Sequence, residues 1–225
     1  MFVPRTVLVD GILTRYRVYV PPAAAAPLPV ILFLHGAGES GQDDVLPTTV
    51  GIGPAIDAAP ERFPALVVFP QASRGYGWRG FNLDAAVAAL DDVEREFTTD
   101  RERVYVTGIS MGGYGTWLLG VQQPERFAAL VPVCGGLDRG AGGLTPARAA
   151  RRLAGIPQWV FHGDADDVIA VDESRVMVQA LRAAGAAVRY TEYAGVRHNS
   201  WDRAYAEPEL MPWMFAQRRR DSGAG

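Results

Sequence analysis

The sequence predicts an α/β protein with a mostly parallel, twisted sheet, helices on both faces of the sheet and an N-terminal antiparallel hairpin. Two alternating runs, residues 5–10 and 13–20, flank the turn-forming pair Asp10-Gly11, which is typical of a hairpin. Short, continuous apolar runs such as residues 30–34 follow, as expected for strands that are buried on both faces. Helical patterns separate most of these runs, and this alternation indicates parallel strands joined by helices.

The other elements are predicted in chain order by the same two signals. Short apolar runs predict further strands at residues 66–69, 104–107, 130–133, 159–161 and 188–192. Apolar residues at helical spacing predict helices over residues 82–97, 111–121 and 173–184. Asn82 stands where the first of these helices needs an N-cap. We therefore predict a single domain over residues 1–217, followed by an Arg-rich flexible tail over residues 218–225.

Composition excludes several classes of function. The formal net charge is −3, which gives no argument for a nucleic-acid partner. The chain has no lysine, so it lacks the lysine of a nucleotide-binding P-loop and any Schiff-base lysine. Cys134 is the only cysteine; no intrachain disulfide is possible, and we expect a buried thiol that packs as a small apolar group.

Targeting signals are also missing from the sequence. No apolar run approaches the ~20 residues of a membrane span, so no membrane association is expected. Residues 1–10 lack a basic stretch followed by a long apolar run, so no signal peptide is predicted. A cytoplasmic location is the resulting expectation.

The strongest chemical signal lies at residues 108–112, which read G-I-S-M-G and match the pattern G-x-S-x-G. This pattern needs a strand before the serine and a helix after it, and both are predicted here. Glycines on either side allow a tight turn that exposes the serine hydroxyl. Ser110 is therefore the candidate nucleophile.

A serine nucleophile needs a base and a group that orients the base. His35 and His162 each end an apolar run, whereas His198 lies in a polar loop after the last predicted strand, where the chain order Ser…Asp…His places the base. Asp164, Asp166 and Asp167 are all candidates for the acid, and composition does not choose among them. A metal site in this acidic segment is disfavoured, because no second histidine or cysteine stands at a ligand spacing.

Residues 36–41, G-A-G-E-S-G, allow two interpretations. They match the dinucleotide fingerprint G-x-G-x-x-G, but no helix opens at the third glycine and no acidic residue follows the next strand, so no cofactor is expected. The favoured interpretation is a loop that directs a backbone N–H towards the substrate oxygen, with the N–H of Met111 as a second donor.

Four segments occur together in the order of a known family: residues 35–41 (H-G-A-G-E-S-G), 108–113 (G-I-S-M-G-G), 162–166 (H-G-D-A-D) and 198–201 (H-N-S-W). Over residues 28–215 the chain resembles the lidless carboxylesterases of the α/β-hydrolase superfamily. That group includes dienelactone hydrolases, phospholipase/carboxylesterases and esterases similar to polyhydroxybutyrate depolymerases.

The resemblance implies a role for each matching residue. Ser110 is the implied nucleophile, Asp166 the acid, His198 the base, and Ala37 and Met111 the donors of the oxyanion hole. Because this chain has Asp167 where family members often carry a proline nearby, Asp164 and Asp167 stay open as alternatives for the acid.

The resemblance and the loop lengths together predict the type of substrate. The connection over residues 136–157, where Gly140, Gly142 and Gly143 indicate loop structure, is too short for a helical lid. We expect an open cleft for small carboxylic esters, with Trp78 and Trp201 as candidate lining residues or partly buried packing residues. Thioester or amide cleavage and a non-catalytic binding module are the alternatives.

Overall fold

A computed structural model describes residues 1–22, 25–138 and 143–219. Every strand that the sequence predicts is present, and together they form one eight-stranded sheet. The strands are β1 (Phe2–Val9), β2 (Ile12–Tyr19), β3 (Leu28–Leu34), β4 (Leu66–Pro70), β5 (Thr99–Ile109), β6 (Ala129–Val133), β7 (Gln158–Gly163) and β8 (Val188–Tyr193).

The sheet has the strand order β1-β2-β4-β3-β5-β6-β7-β8. β1 pairs antiparallel with β2, and β2 pairs antiparallel with β4. All other neighbours are parallel. The prediction of a mostly parallel sheet with an N-terminal antiparallel hairpin is therefore confirmed. Since the central strands run in one direction, their carboxyl ends meet at one edge, where ligands bind in open α/β sheets.

Helices cover both faces of the sheet, as predicted. They are α1 (Ile52–Ala58), α2 (Phe81–Glu96), α3 (Met111–Gln122), α4 (Pro146–Leu153), α5 (Asp172–Ala183), α6 (Trp201–Ala206) and α7 (Leu210–Ala216). Buried residues of α2, α3, α4 and α5 form one apolar core with one face of the sheet. Buried residues of α1, α6 and α7 form a second core with the opposite face.

The central strand β3 shows why its sequence is apolar throughout. All seven of its residues are buried, because alternate side chains enter opposite cores. Leu32 packs in the first core and Phe33 in the second. A strand covered on both faces has no solvent side, so the alternation of apolar and polar residues disappears.

One predicted cap is wrong. Helix α2 begins at Phe81 after Gly80, so Asn82 lies in its first turn and is not the N-cap. Asn82 instead ties down the preceding loop: its side chain accepts a hydrogen bond from the N–H of Ser73 at 3.0 Å and donates one to the carbonyl of Gly77 at 2.8 Å. A polar residue near a helix start can cap either the helix or a loop, and propensity alone does not distinguish the two.

Two predicted segments extend beyond the described residues. In the connection between β6 and β7, Gly140 and Gly142 lie outside the described residues. The described part of this connection contains α4, and the buried face of α4 packs in the first core. In the C-terminal segment, Arg218 bonds Glu102 at 2.8 Å and the N–H of Arg219 donates to the carbonyl of Glu102, while residues 220–225 lie outside the described part. No described helix is both long and apolar enough to cross a membrane.

Candidate active site

Ser110 occupies the sharp turn between β5 and α3, at the carboxyl edge of the sheet. Its backbone has φ +53° and ψ −116°, a conformation that residues with a side chain rarely adopt. The turn is fixed from both sides, because the N–H of Ser110 donates to the carbonyl of Val133 and its carbonyl accepts from the N–H of Gly113. A strained, well-bonded residue of this kind is typical of a functional site.

Close packing of two backbone segments explains why position 112 is glycine. A Cβ atom on Gly112 would lie 1.8 Å from the carbonyl oxygen of Leu34, so only glycine lets α3 approach β3 this closely. The close approach brings Ser110 beside the loop that follows β3. The glycines of G-x-S-x-G are thus requirements of backbone packing, which fits the interpretation of the motif as a strand–turn–helix.

His198 and Asp166 arrive from two separate loops and meet beside Ser110. Ser110 Oγ lies 2.9 Å from Nε2 of His198, and Nδ1 of His198 lies 2.8 Å from Oδ2 and 3.0 Å from Oδ1 of Asp166. The Asp166 side chain is completely buried, while that of His198 keeps 18% of its surface exposed. The structure therefore brings the three residues together in one hydrogen-bonded series, with the serine end open to solvent.

The other two aspartates of the same loop make different contacts. Oδ1 of Asp164 accepts the N–H of Gly195 at 2.6 Å, which joins the loop after β7 to the loop after β8. Asp167 forms an exposed ion pair with Arg197. Of these three described aspartates, Asp166 is the one whose carboxylate meets His198.

The Asp166 carboxylate is surrounded by hydrogen-bond donors. Burial alone would raise its pKa, but hydrogen bonds from His198 and from the N–H groups of Ile169 and Val168 hold the pKa below its ordinary value. Both N–H groups reach Oδ1 at 2.9 Å. The carboxylate is consequently ionised at neutral pH and can stabilise a positive charge that develops on His198.

His162 also contacts Asp166, and sequence reasoning treated it only as the end of a strand. Its Nε2 lies 3.1 Å from Oδ2 of Asp166, and its side chain is fully buried. The signal that could have revealed the contact is the four-residue spacing in H-G-D-A-D, which spans a tight turn after β7.

His35 has the structural role expected of it. Its Nε2 accepts the N–H of Ala72 at 2.9 Å, and its carbonyl accepts the indole N–H of Trp78 at 2.9 Å. Burial lowers the pKa of His35 to about 4, so the ring is neutral. His35 thereby joins the end of β3 to the loop that carries Trp78.

The two candidate oxyanion donors belong to two chain segments that border Ser110. Ala37 begins a short 3-10 turn, Ala37–Glu39, directly after Gly36. A Cβ atom built on Gly36 would lie 3.7 Å from Cβ of Ser110, so the backbone of this loop borders the nucleophile. Met111 is the first residue of α3, and the first N–H groups of a helix have no carbonyl acceptor within it.

A cleft of about 410 Å³ opens beside Ser110. Trp78, Met111 and Leu118 contribute apolar wall, and an ion pair between Arg79 and Asp138 borders the cleft. Trp78 is nearly buried, with 3% of its surface exposed, so it is both a packing residue and part of this wall. The volume falls in the range of small-molecule sites.

Trp201 packs against the candidate base. Its ring packs edge-on against the ring of His198, with 5.4 Å between the centroids. This contact restricts the orientation of the imidazole. Trp201 does not line the cleft that contains Trp78.

Cys134, Asp166 and His198 are the described residues whose arrangement comes nearest to a metal site. Each offers one ligand atom, and these atoms lie within 4.8 Å of one another. Two of the ligand groups are already hydrogen-bonded to each other, and burial raises the pKa of the Cys134 thiol to about 12. A protonated thiol is a poor ligand, so the donor set fits a packed triad better than a resident metal ion.

Comparisons with known proteins agree with this fold. The model of the prolyl oligopeptidase family matches residues 76–145, a stretch that contains Ser110 but neither Asp166 nor His198. A crystal structure of a thermostable esterase is 33% identical, with a TM-score of 0.85, over 97% of this chain and 63% of that chain.

Curated relatives add a second line of agreement. An uncharacterised secreted protein of Arthroderma benhamiae is 27% identical over 86% of this chain and 24% of its own length. The poly(3-hydroxyalkanoate) depolymerase C of Paucimonas lemoignei is 26% identical over 57% of this chain and 33% of its own length. The chain thus spans less than half the length of the curated relatives it matches. With the strand order and the nucleophile turn, these likenesses show that the chain belongs to the α/β-hydrolase superfamily.

Proposed function

We propose that the protein cleaves small carboxylic esters through an acyl-enzyme intermediate, with Ser110, His198 and Asp166 as a catalytic triad. One observation carries the proposal: hydrogen bonds of 2.9 and 2.8 Å connect the Ser110 hydroxyl to His198 and His198 to Asp166. A strained serine, a histidine that is partly exposed and a buried carboxylate in this order match the requirements of nucleophilic acyl transfer.

The arrangement gives each residue one task. Ser110 Oγ attacks the ester carbonyl carbon while its proton passes to Nε2 of His198. The resulting imidazolium keeps its Nδ1–H on the ionised Asp166, which stabilises the new charge. Collapse of the tetrahedral intermediate breaks the bond to the alcohol oxygen, which takes the proton from Nε2. Water then repeats the same steps on the acyl-enzyme, releases the acid and restores Ser110.

Backbone N–H groups would stabilise the negative oxygen of the tetrahedral intermediate. Met111 supports this assignment because its N–H belongs to the first turn of α3, where the helix dipole also favours negative charge. Ala37 supports it because its loop borders Ser110 across Gly36. Removal of one such donor typically costs ~10²- to 10³-fold in kcat.

The cleft supports a small-molecule substrate. Its volume of about 410 Å³ suits an acyl or alcohol group of modest size, and its wall mixes apolar surface with the Arg79–Asp138 pair. A soluble ester fits such a mixed surface better than a long alkyl chain does. No nucleic-acid or membrane partner is part of the proposal.

Amide hydrolysis is the second candidate, because the family model that matches residues 76–145 is that of prolyl oligopeptidases. The same triad can attack an amide, and only the leaving group differs. A matched pair of substrates, an aryl ester and the corresponding aryl amide, separates the candidates. We expect the ester to be cleaved with much the higher kcat/KM, whereas comparable values would favour the peptidase alternative.

The central test is covalent labelling combined with kinetics. A fluorophosphonate should label the wild-type protein at Ser110 and leave Ser110→Ala unlabelled, with Ser73→Ala as the matched control that keeps the label. Ser110→Ala should lower kcat on p-nitrophenyl acetate by at least ~10³-fold with its circular dichroism unchanged. Near wild-type activity in Ser110→Ala, or no labelling of the wild type, would contradict the proposal and favour a binding module.

A further inference from the structure

His162 is a buried titratable residue that the proposed reaction does not use directly. It is the penultimate residue of β7, and its side chain has no exposed surface. Both ring nitrogens have partners: Nε2 lies 3.1 Å from Oδ2 of Asp166 and 3.0 Å from the carbonyl of Ile169, and Nδ1 lies 2.7 Å from Oγ of Ser174. These contacts restrict which ring nitrogen of His162 carries the hydrogen.

The partners determine which nitrogen carries the hydrogen. Oδ2 of the ionised Asp166 and the carbonyl oxygen of Ile169 can only accept, so Nε2 must donate. Ser174 can donate its hydroxyl proton either to Nδ1 of His162 or to the carbonyl of Gly135, which lies 3.2 Å away. Burial lowers the pKa of His162, which favours the neutral ring and leaves Nδ1 to accept from Ser174. The two acceptors at Nε2 therefore fix the Nε2–H tautomer, and Ser174 anchors the ring through Nδ1.

This tautomer completes the shell of donors around Asp166. Oδ1 accepts two backbone N–H groups, from Val168 and Ile169, and Oδ2 shares the Nε2–H of His162 with the carbonyl of Ile169. These donors hold both carboxylate oxygens from the sides that do not face His198. The remaining acceptor capacity points to Nδ1 of His198, at 2.8 and 3.0 Å.

We propose that His162, which carries its hydrogen on Nε2 and is anchored at Nδ1 by Ser174, is a positioning residue that fixes the Asp166 carboxylate for its hydrogen bond to His198. The inference rests on the proposed function, because Asp166 needs accurate placement only if His198 acts as the base. His162 itself touches neither the substrate nor the reacting atoms. Its effect should appear in kcat, because Asp166 stabilises the imidazolium that forms in the transition state, and not in KM.

Two amide side chains provide a matched pair of variants. His162→Gln places an amide nitrogen near the position of Nε2, within reach of Asp166. His162→Asn places its amide near Nδ1, where it can meet Ser174 but not Asp166. Both are polar, uncharged and no larger than histidine, and the donor to Oδ2 is kept in one variant only. Asparagine is one methylene shorter than glutamine and leaves more empty space, so the stability of each variant is measured as well.

We expect His162→Asn to lower kcat on p-nitrophenyl acetate by roughly 10- to 100-fold, the cost of one hydrogen bond to a charged group, with little change in KM. His162→Gln should stay close to wild type. The downfield proton resonance of the His198 Nδ1–H···Asp166 hydrogen bond, identified by its loss in His198→Ala, should persist in His162→Gln and broaden or vanish in His162→Asn. Urea unfolding of both variants reports their stability separately.

The outcomes separate this inference from the proposed function. Equal kcat values for the Asn and Gln variants, or a loss confined to KM, would overturn the positioning role even if Ser110→Ala is inactive. Should His162→Asn not fold, Ser174→Ala provides the second test, because it removes the hydrogen bond that anchors Nδ1 of His162. A wild-type kcat and resonance in Ser174→Ala would overturn the positioning role, and a reduced kcat with a weakened resonance would support it. Full activity in Ser110→Ala would instead refute the proposed function.

Discussion

Gly163 and Val196 touch so closely that a Cβ atom on Gly163 would lie 2.1 Å from the carbonyl oxygen of Val196. That carbonyl also accepts the N–H of Ala165 at 3.1 Å. The contact therefore joins the loop after β7, which carries Asp166, to the loop after β8, which carries His198. The packing of these two loop backbones therefore sets the separation of the chain segments that carry Asp166 and His198.

Gly163→Ala should separate these two loops. A side chain at this position requires one of the two backbones to move, which should cost about 1–3 kcal/mol of the free energy of unfolding. A shift of ~1 Å between the two loops should also reduce kcat by ~10²-fold. Gly155→Ala is the matched control, because a Cβ atom there meets nothing within 4 Å. Urea unfolding and p-nitrophenyl acetate kinetics that do not differ between the two variants would contradict this role of Gly163.

Single Asp→Asn changes in the loop after β7 should have unequal effects. Asp166→Asn should lower kcat by ~10³- to 10⁴-fold, because an amide no longer holds His198 in the tautomer that accepts the serine proton. Asp167→Asn removes only an exposed ion pair to Arg197 and should cost little. Asp164→Asn should also cost little in kcat, since the amide oxygen of Asn can still accept the N–H of Gly195. A larger loss of kcat from either neighbour would move the acid to that residue.

Sequence patterns were sufficient for the fold because its main signals are local. Each of these signals depends on residues that are neighbours in sequence: the hairpin turn at Asp10, the apolar central strands and the strand–serine–helix turn. The observed strand order confirms the mostly parallel sheet that they predict. The sequence did not predict helices α1, α4, α6 and α7, because short segments such as PARAARRL of α4 carry only about two turns of helical pattern. Short helices depend mostly on packing against the core, which a local pattern does not contain.

The details of the site depend on distances between residues far apart in the chain. Three aspartates follow β7 within four positions, and the residues alone left the choice open; the resemblance to a family favoured Asp166. The structure brings Asp166 to His198 and adds His162 as a partner of the same carboxylate. Pairings of this kind depend on how two loops pack, so no periodicity in the sequence could reveal them.

The backbone strain at Ser110 should be measurable as lost stability. Ser110→Gly and Ser110→Ala both remove the hydroxyl, but only glycine adopts φ +53° without strain. Glycine at this position avoids a backbone strain of about 1–3 kcal/mol in the folded protein, but it also increases the conformational entropy of the unfolded chain. The net result should leave Ser110→Gly about 1 kcal/mol more stable than Ser110→Ala. Ser40, at φ −62°, is the control position, where alanine should be the more stable of the two. The same order at both positions in urea unfolding would argue against strain.

His35 should make stability depend on pH below neutrality. Burial lowers the pKa of His35 from 6.5 to about 4 in the folded protein. Between pH 6.5 and 4, His35 is therefore protonated in the unfolded chain but neutral in the folded protein. The contribution of the neutral His35 ring to the free energy of unfolding is therefore fully present above pH 6.5 and is lost as pH falls towards 4. Between pH 7.5 and 5 this loss should be about 2 kcal/mol, and His35→Gln should not show it. Equal pH slopes of the unfolding free energy for wild type and His35→Gln would refute this prediction.

The last prediction concerns the length of the acyl chain. Helix α4, in the connection where a lid would stand, buries Ala149, Ala150 and Leu153 in the core and is therefore not free to cover the site. The cleft beside Ser110 is about 410 Å³, with the Arg79–Asp138 pair at its border. A fully buried methylene contributes ~0.8 kcal/mol, or roughly four-fold in kcat/KM, but only where apolar walls enclose it.

A p-nitrophenyl ester series from acetate to palmitate tests this expectation. We expect kcat/KM to rise over the first few methylenes and then to level off or fall, because the rest of the chain stays in water. Activity should show no increase when the substrate passes its critical micelle concentration, since no lid has to open. Ser110→Ala, measured across the series, corrects for hydrolysis without the nucleophile. A steady rise to palmitate, or activation at an emulsified interface, would show that the protein encloses a groove of lipid length and that the open-cleft proposal is wrong.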